Sequence, residues 1–352
     1  MRRPGLVLAA AAVVALAGPA LAQEALPLHI GGRVAAAPDG SLSFGWPGVY
    51  FEGRFEGTGV TVSLDAPRDH LRVLIDGEEK AVLREPGRVA LTLADLSPGE
   101  HVVRLEKLTE NQAGAGRFLG FRAVGDTAAL PPRPRARRIE FIGDSFTVGY
   151  GNTAPGRDCT AEQIHDLTDT QAAFGPVVAR RLDADYRINA WSGFGVVRNY
   201  AGNAPNLSLP TIYPRLIPSA PAPLEDADAG WSPQVIVINL GTNDFSTPLK
   251  PGEAWSDEAA LRAAYRDRYR AFVHALHARH PRARFVLMGG PTFAADVEGV
   301  AAALNAETPG RAVSAPYDGL DLMACDGHPS LADEAKLAAV VEAAIGELDL
   351  SW

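Results

Sequence analysis

No stretch of this sequence stays apolar for the ~20 residues that a membrane-spanning helix needs, and no run of basic residues offsets a formal charge of -9. The first absence excludes an integral helical membrane protein. The second leaves no electrostatic footprint for DNA or RNA, whose phosphates such a surface repels. No internal repeat or low-complexity tract is present. Only two cysteines, Cys159 and Cys325, occur in 352 residues. That leaves either one disulfide, if the chain enters an oxidising compartment, or two buried thiols.

What is present describes a folded protein of about two domains at roughly 150 residues each, with 47% hydrophobic and 21% charged residues. Arg2 and Arg3 precede an apolar run from Leu6 to Leu16, and Ala20, Leu21 and Ala22 form a small-residue cleavage site. Residues 1–22 therefore read as a secretory signal peptide, with export to the periplasm or the cell exterior and a mature chain from about Gln23. No cysteine follows the site to accept a lipid.

From Leu42 to Val124 the pattern has period two: Val60, Val62 and Leu64, then Leu71, Val73 and Ile75, then Val89, Leu91 and Leu93, then His101, Val103 and Leu105. Asp76-Gly77, Pro86-Gly87 and Pro98-Gly99 punctuate these runs as turns. Short strands without intervening helix periodicity predict an antiparallel β-sandwich over residues 23–127. Asp126 to Arg138 holds three prolines and four arginines, and its centre, 128–137, reads as a linker. Beyond it, over 138–352, the apolar runs Ile139–Ile142, Val235–Leu240 and Phe285–Met288 are continuous, as in strands covered on both faces. Helical segments are expected at about Gln171–Leu182, Asp257–Arg279 and Leu331–Leu348, which gives an α/β domain with a central parallel sheet. The long Pro- and Asn-rich stretch from Asn199 to Pro233 is a candidate functional loop.

The ligand crevice of such a sheet lies at the carboxyl ends of its strands. There the chain places Gly143-Asp144-Ser145, Ser192-Gly193, Gly241-Thr242-Asn243-Asp244 and, before the last helix, Asp326-Gly327-His328-Pro329. A hydroxyl is a poor nucleophile unless a neutral imidazole takes its proton, and the tetrahedral oxyanion needs preformed donors. Ser145 is the candidate nucleophile, His328 the base, and the N–H groups of Ser145 and Gly193 with the Asn243 amide the oxyanion hole. Asp144 and Asp244 are expected to brace their loops. His274, His277 and His280 are distributed around a helix end and suggest no metal site.

These four ordered blocks resemble the signature of the SGNH (GDSL-type) hydrolases. Together with Phe44–Gly48 (FGWPG), Phe55–Gly59 (FEGTG), FIGDSFTVGYGN from Phe141 and SGFGVVRNY from Ser192, the chain is most similar to carbohydrate esterase family 2. The resemblance implies a jelly-roll-like β-sandwich ahead of a flavodoxin-like three-layer α/β domain. It also implies a cofactor-free serine acetylesterase acting on O-acetylated plant cell-wall carbohydrate. SGNH relatives that act on lipid or aryl esters, and a non-catalytic carbohydrate-binding protein, are the competing readings.

Two features depart from the pattern. The SGNH acid stands three residues before the histidine, where this chain has Cys325, so either Asp326 completes a triad or a backbone carbonyl orients His328 in a Ser-His dyad. An aromatic residue often precedes that histidine, where this chain has Gly327. Trp191, Tyr213 and Trp231 are candidates to stack on a sugar ring, with Tyr200 and Trp255 as further aromatic residues of the same kind. A Cys159–Cys325 disulfide would pin the loops of nucleophile and base.

Overall fold

The structure is a computed structural model that describes residues 24–220, 230–350 and 352. The segment expected to be a signal peptide, and residues 221–229 of the long loop, lie outside the described residues. No described helix is long and apolar enough to cross a membrane.

Among the described residues, eleven strands build the first half: β1 (Leu28–Gly31), β2 (Val34–Ala36), β3 (Leu42–Phe44), β4 (Tyr50–Glu56), β5 (Val60–Ala66), β6 (His70–Ile75), β7 (Glu78–Arg84), β8 (Gly87–Leu93), β9 (Glu100–Lys107), β10 (Gly116–Ala123) and β11 (Ala128–Leu130). They form two antiparallel sheets, β1-β4-β9-β6-β7 with β11 also on β4, and β2-β3-β10-β5-β8. The alternation read from the sequence points inward: Val60, Val62 and Leu64 are fully buried and meet Phe51, Phe118 and Phe121 between the sheets. This is the expected sandwich.

The expected linker is not a free tether. Ala128–Leu130 pairs with Arg54–Glu56 of β4, on the edge that β1 uses further along. Arg135 then donates from its backbone N–H to Asp185 at 2.9 Å and from its guanidinium to Glu52 at 3.2 Å. Composition suggested a spacer; an open strand edge and two buried carboxylates capture it.

The second half contributes β12 (Arg137–Gly143), β13 (Ala184–Ala190), β14 (Val235–Asn239), β15 (Arg284–Gly289) and β16 (Ala312–Pro316), all parallel in the order β13-β12-β14-β15-β16. The helices are α1 (Ser145–Val148), α2 (Ala161–Asp166), α3 (Phe174–Arg181), α4 (Leu209–Ile212), α5 (Thr242–Phe245), α6 (Glu258–Arg279), α7 (Ala294–Glu307) and α8 (Leu331–Gly346). One face of the sheet packs on α3 and α8, the other on α6 and α7. This is the three-layer α/β arrangement, with its topological switch between β12 and β14, the place where such sheets bind ligands. The helix expected over 171–182 is divided: a 3-10 turn at Thr170–Ala172 is capped by Asp169, Ala173 is extended, and α3 starts at Phe174. Pro176 accounts for this, because proline has no N–H and fits only the first turn.

The two halves share one apolar core in which Trp46 of the sandwich meets Trp191 of the α/β domain at 6.1 Å. Buried polar groups also cross the junction. Tyr50 donates to Asp185 at 3.0 Å, Arg104 donates to the Tyr186 hydroxyl at 2.7 Å, and Arg33 lies 3.5 Å from Glu140 in the middle of β12.

Candidate active site

Ser145 sits at the first position of α1, directly beyond β12. Asp144 caps that helix by accepting the Phe146 N–H at 3.1 Å, and Gly149 closes it in the left-handed conformation. This tight strand-to-helix turn presents the Ser145 hydroxyl at the end of the sheet, where His328 Nε2 lies 2.8 Å from its Oγ.

The other imidazole nitrogen, Nδ1, lies 2.9 Å from the carbonyl oxygen of Cys325. A carbonyl can only accept, so Nδ1 carries the proton and Nε2 presents its lone pair to the serine. Asp326 does not complete a triad. Asp326 and Gly327 both adopt positive φ, 52° and 75°. That curl turns the Cys325 carbonyl toward the ring and leaves the Asp326 carboxylate accepting the Tyr150 hydroxyl at 3.2 Å. Tyr150, which motif reading passed over, also lays its ring 4.3 Å from the His328 ring. Burial, with the Asp326 charge adding to it, pushes its phenol up to about 12, so it remains a neutral donor.

Burial holds the His328 pKa below the ordinary histidine value, offset in part by the Cys325 carbonyl and the nearby Asp326 charge. Burial likewise raises the Asp144 carboxyl to about 7 and that of Asp244 to about 6. Asp244 accepts the N–H groups of Val196, Val197 and Arg198 at 2.9 to 3.0 Å, which fixes the loop that follows β13. Asn243 joins the two sides, donating from one amide nitrogen to Phe194 O at 3.0 Å and to Asp144 Oδ2 at 3.2 Å. Gly193 lies in that loop with φ 84°, and the space where a Cβ would stand is open.

Cys159 and Cys325 form a disulfide with their Cα atoms 5.4 Å apart. Gly151 runs against it so closely that a Cβ there would come within 2.5 Å of the Cys325 Cβ. The bond thus ties the loop after α1 to the residue whose carbonyl holds His328.

The three aromatic residues expected on the sugar are buried instead, with Trp191 at 5%, Tyr213 at 2% and Trp231 at 9% exposure. Tyr213 and Trp231 donate to the buried Glu140 carboxylate at 2.8 and 3.0 Å, and Trp191 packs on Trp46. The polar tips of Tyr213 and Trp231 complete a core charge cluster, and Trp191 fills the apolar junction, which explains their burial. Tyr200 is different: it is 52% exposed, and its backbone N–H donates to Gly193 O at 2.8 Å.

A serine and an imidazole of fixed tautomer, beside backbone and amide donors at the switch point of a parallel sheet, define a serine hydrolase site of the SGNH kind. Residues 141–338 match the GDSL-like lipase/acylhydrolase family, and residues 30–134 match the carbohydrate esterase 2 N-terminal domain. An acetylxylan esterase / glucomannan deacetylase of Cellvibrio japonicus is 45% identical over 321 residues, spanning 89% of each chain. One solved carbohydrate esterase, described as having an active site with divergent catalytic and non-catalytic binding functions, superposes with a TM-score of 0.87 at 43% identity, over 93% of this chain and 99% of that one. A family two carbohydrate esterase from Clostridium thermocellum in complex with cellohexaose gives 0.77 at 27% identity, over 91% and 98%. The chain belongs to carbohydrate esterase family 2, within the GDSL-like hydrolases, and is a carboxylic ester hydrolase.

Proposed function

We propose that this protein is an exported serine esterase that removes O-acetyl groups from plant cell-wall polysaccharide or oligosaccharide of the acetylated xylan type. The observation that carries the reading is the 2.8 Å contact between Ser145 Oγ and a His328 whose Nδ1 proton is committed to the Cys325 carbonyl. Ser145 Oγ attacks the acetyl carbon while its proton passes to His328 Nε2, and the carbonyl electron pair moves onto oxygen. Ser145 N–H, Gly193 N–H and the Asn243 amide receive that oxyanion, the amide releasing its longer contact with Asp144. Collapse breaks the bond to the sugar oxygen, which takes the proton from His328, and water repeats the sequence on acetyl-Ser145. The base is held by a carbonyl, so the machinery is a Ser-His dyad.

The substrate class rests on the C. japonicus relative, whose name carries both acetylxylan esterase and glucomannan deacetylase. Export is supported by the signal-like start of the sequence and by the disulfide, a bond that persists in oxidising compartments.

Acetate release from acetylated xylan, run beside Ser145→Ala and an aryl acetate control, tests this. Loss of both activities in the variant is expected. Cleavage of the aryl ester alone by the parent protein would remove the carbohydrate assignment, and binding without any cleavage would leave a carbohydrate-binding protein.

A further inference from the structure

The oxyanion-binding peptide is held by the other domain. Trp191 to Phe194 form a β-turn, with the Phe194 N–H donating to the Trp191 carbonyl at 3.2 Å. Gly193, at φ 84°, has the conformation that a type II turn requires at its third position. Type I and type II turns differ chiefly in the orientation of the central peptide, here the one joining Ser192 to Gly193. Its carbonyl and the Gly193 N–H point in opposite directions across a planar trans unit, so whatever grips the carbonyl also aims the N–H.

That grip comes from the sandwich, from the segment joining β9 to β10. Gln112 Nε2 donates to the Ser192 carbonyl at 3.1 Å, and Glu110 Oε1 accepts the Ser192 N–H at 2.8 Å. The two side chains stand two residues apart on a turn that Asn111 shapes by accepting the Ala113 N–H at 3.0 Å. Both backbone groups of Ser192 are therefore clamped from outside the α/β domain.

We infer that Glu110 and Gln112 are positioning residues for catalysis, locking the Ser192–Gly193 peptide in the orientation that directs the Gly193 N–H at the oxyanion. The inference rests on the proposed roles of Ser145 and Gly193. It gives the sandwich a part in the chemical step. A turn freed from the clamp is able to flip its central peptide and present a carbonyl where the N–H should be, which repels the developing negative charge. The penalty falls on the transition state and spares ground-state binding.

The test uses the full chain with an aryl acetate. Gln112→Met keeps the length of an exposed side chain and removes the donor; kcat is expected to fall about tenfold with KM within twofold. Glu110→Ala is expected to lose at least as much, and Glu110→Gln, whose amide oxygen still accepts, to keep kcat within threefold. Affinity for a boronic acid, whose tetrahedral adduct on Ser145 mimics the intermediate, should fall in step with kcat/KM while the melting temperature of Gln112→Met stays unchanged. Full kcat in Gln112→Met and Glu110→Ala, or a loss confined to KM, overturns the inference. Should Glu110→Ala fail to fold, the exposed Gln112 site decides alone. An active Ser145→Ala would overturn the catalytic assignment beneath it, whereas an inactive Ser145→Ala with unimpaired clamp variants removes only the clamp.

Discussion

The Nδ1 atom of His328 and the carbonyl oxygen of Cys325 stand 2.9 Å apart, three residues from one another in sequence. This is the spacing at which SGNH hydrolases place an acid, so the position is kept while the orienting group moves from side chain to backbone. A carbonyl fixes the tautomer as well as a carboxylate does. It would stabilise the imidazolium of the proposed mechanism less strongly, because it carries only a partial charge.

Asp326→Asn is therefore expected to keep turnover within about threefold of the parent. A triad aspartate replaced by asparagine typically costs about 10⁴ in kcat, and a loss of that size in steady-state kinetics would restore Asp326 to the triad.

The acid limb of the rate profile should lie below the ordinary histidine value of about 6.5. Burial lowers the His328 pKa, and the proposed base is the neutral imidazole, so activity is expected to persist further into acid and to fall only once the ring protonates. The Asp326 charge opposes this shift, so the same limb should move lower still in Asp326→Asn. A limb above 6.5 in a plot of kcat/KM against pH would contradict this account of the site.

Asn243→Ala removes a proposed oxyanion donor and also the bridge between Asp144 and Phe194. A donor of this kind contributes about 2.7 to 4 kcal/mol to the barrier, so kcat should drop at least a hundredfold. A loss under tenfold would take Asn243 out of that role.

Reduction of the Cys159–Cys325 bond, or its replacement by serines, should lower stability by about 2 to 5 kcal/mol, since the bond closes a separation of 166 residues. Activity should fall too, because the residue that orients the base loses its anchor. Denaturant unfolding and kcat, measured on the same double variant, check the two effects separately.

Tyr200→Ala should raise KM for an acetylated oligosaccharide severalfold and leave KM for an aryl acetate unchanged. Trp231→Phe should do the reverse of what an aromatic sugar platform predicts, lowering the melting temperature with both KM values intact, because the Trp231 indole N–H serves Glu140.

The fold was legible where burial has a period. The alternating runs are β5, β6, β8 and β9, and the continuous apolar runs are the central parallel strands. Glu78–Arg84 left no such trace because β7 is an exposed, charged edge, and Ala294–Glu307 left none because its alanine-rich sequence carries apolar residues around most of the helix. Ser145 and His328 stood out because residues at strand ends and helix starts form short ordered motifs. The clamp at Glu110 and Gln112 had no signal, since it lies in another domain and acts on backbone. That a backbone carbonyl could orient His328 was one of two readings the sequence left open, but it did not say which carbonyl, because every residue has one. The aromatic residues misled for a related reason: side-chain type does not reveal whether a ring faces a sugar or a buried carboxylate.

At Asp185, His29, Tyr50 and Arg135 converge on one carboxylate that joins the two halves. Opening the two halves like a jaw would break several charge-assisted hydrogen bonds at this one carboxylate. The junction therefore acts as a rivet and not as a hinge. Under the proposed function, a glycan would meet a frame of fixed spacing, closer to a gauge than to a grasping hand.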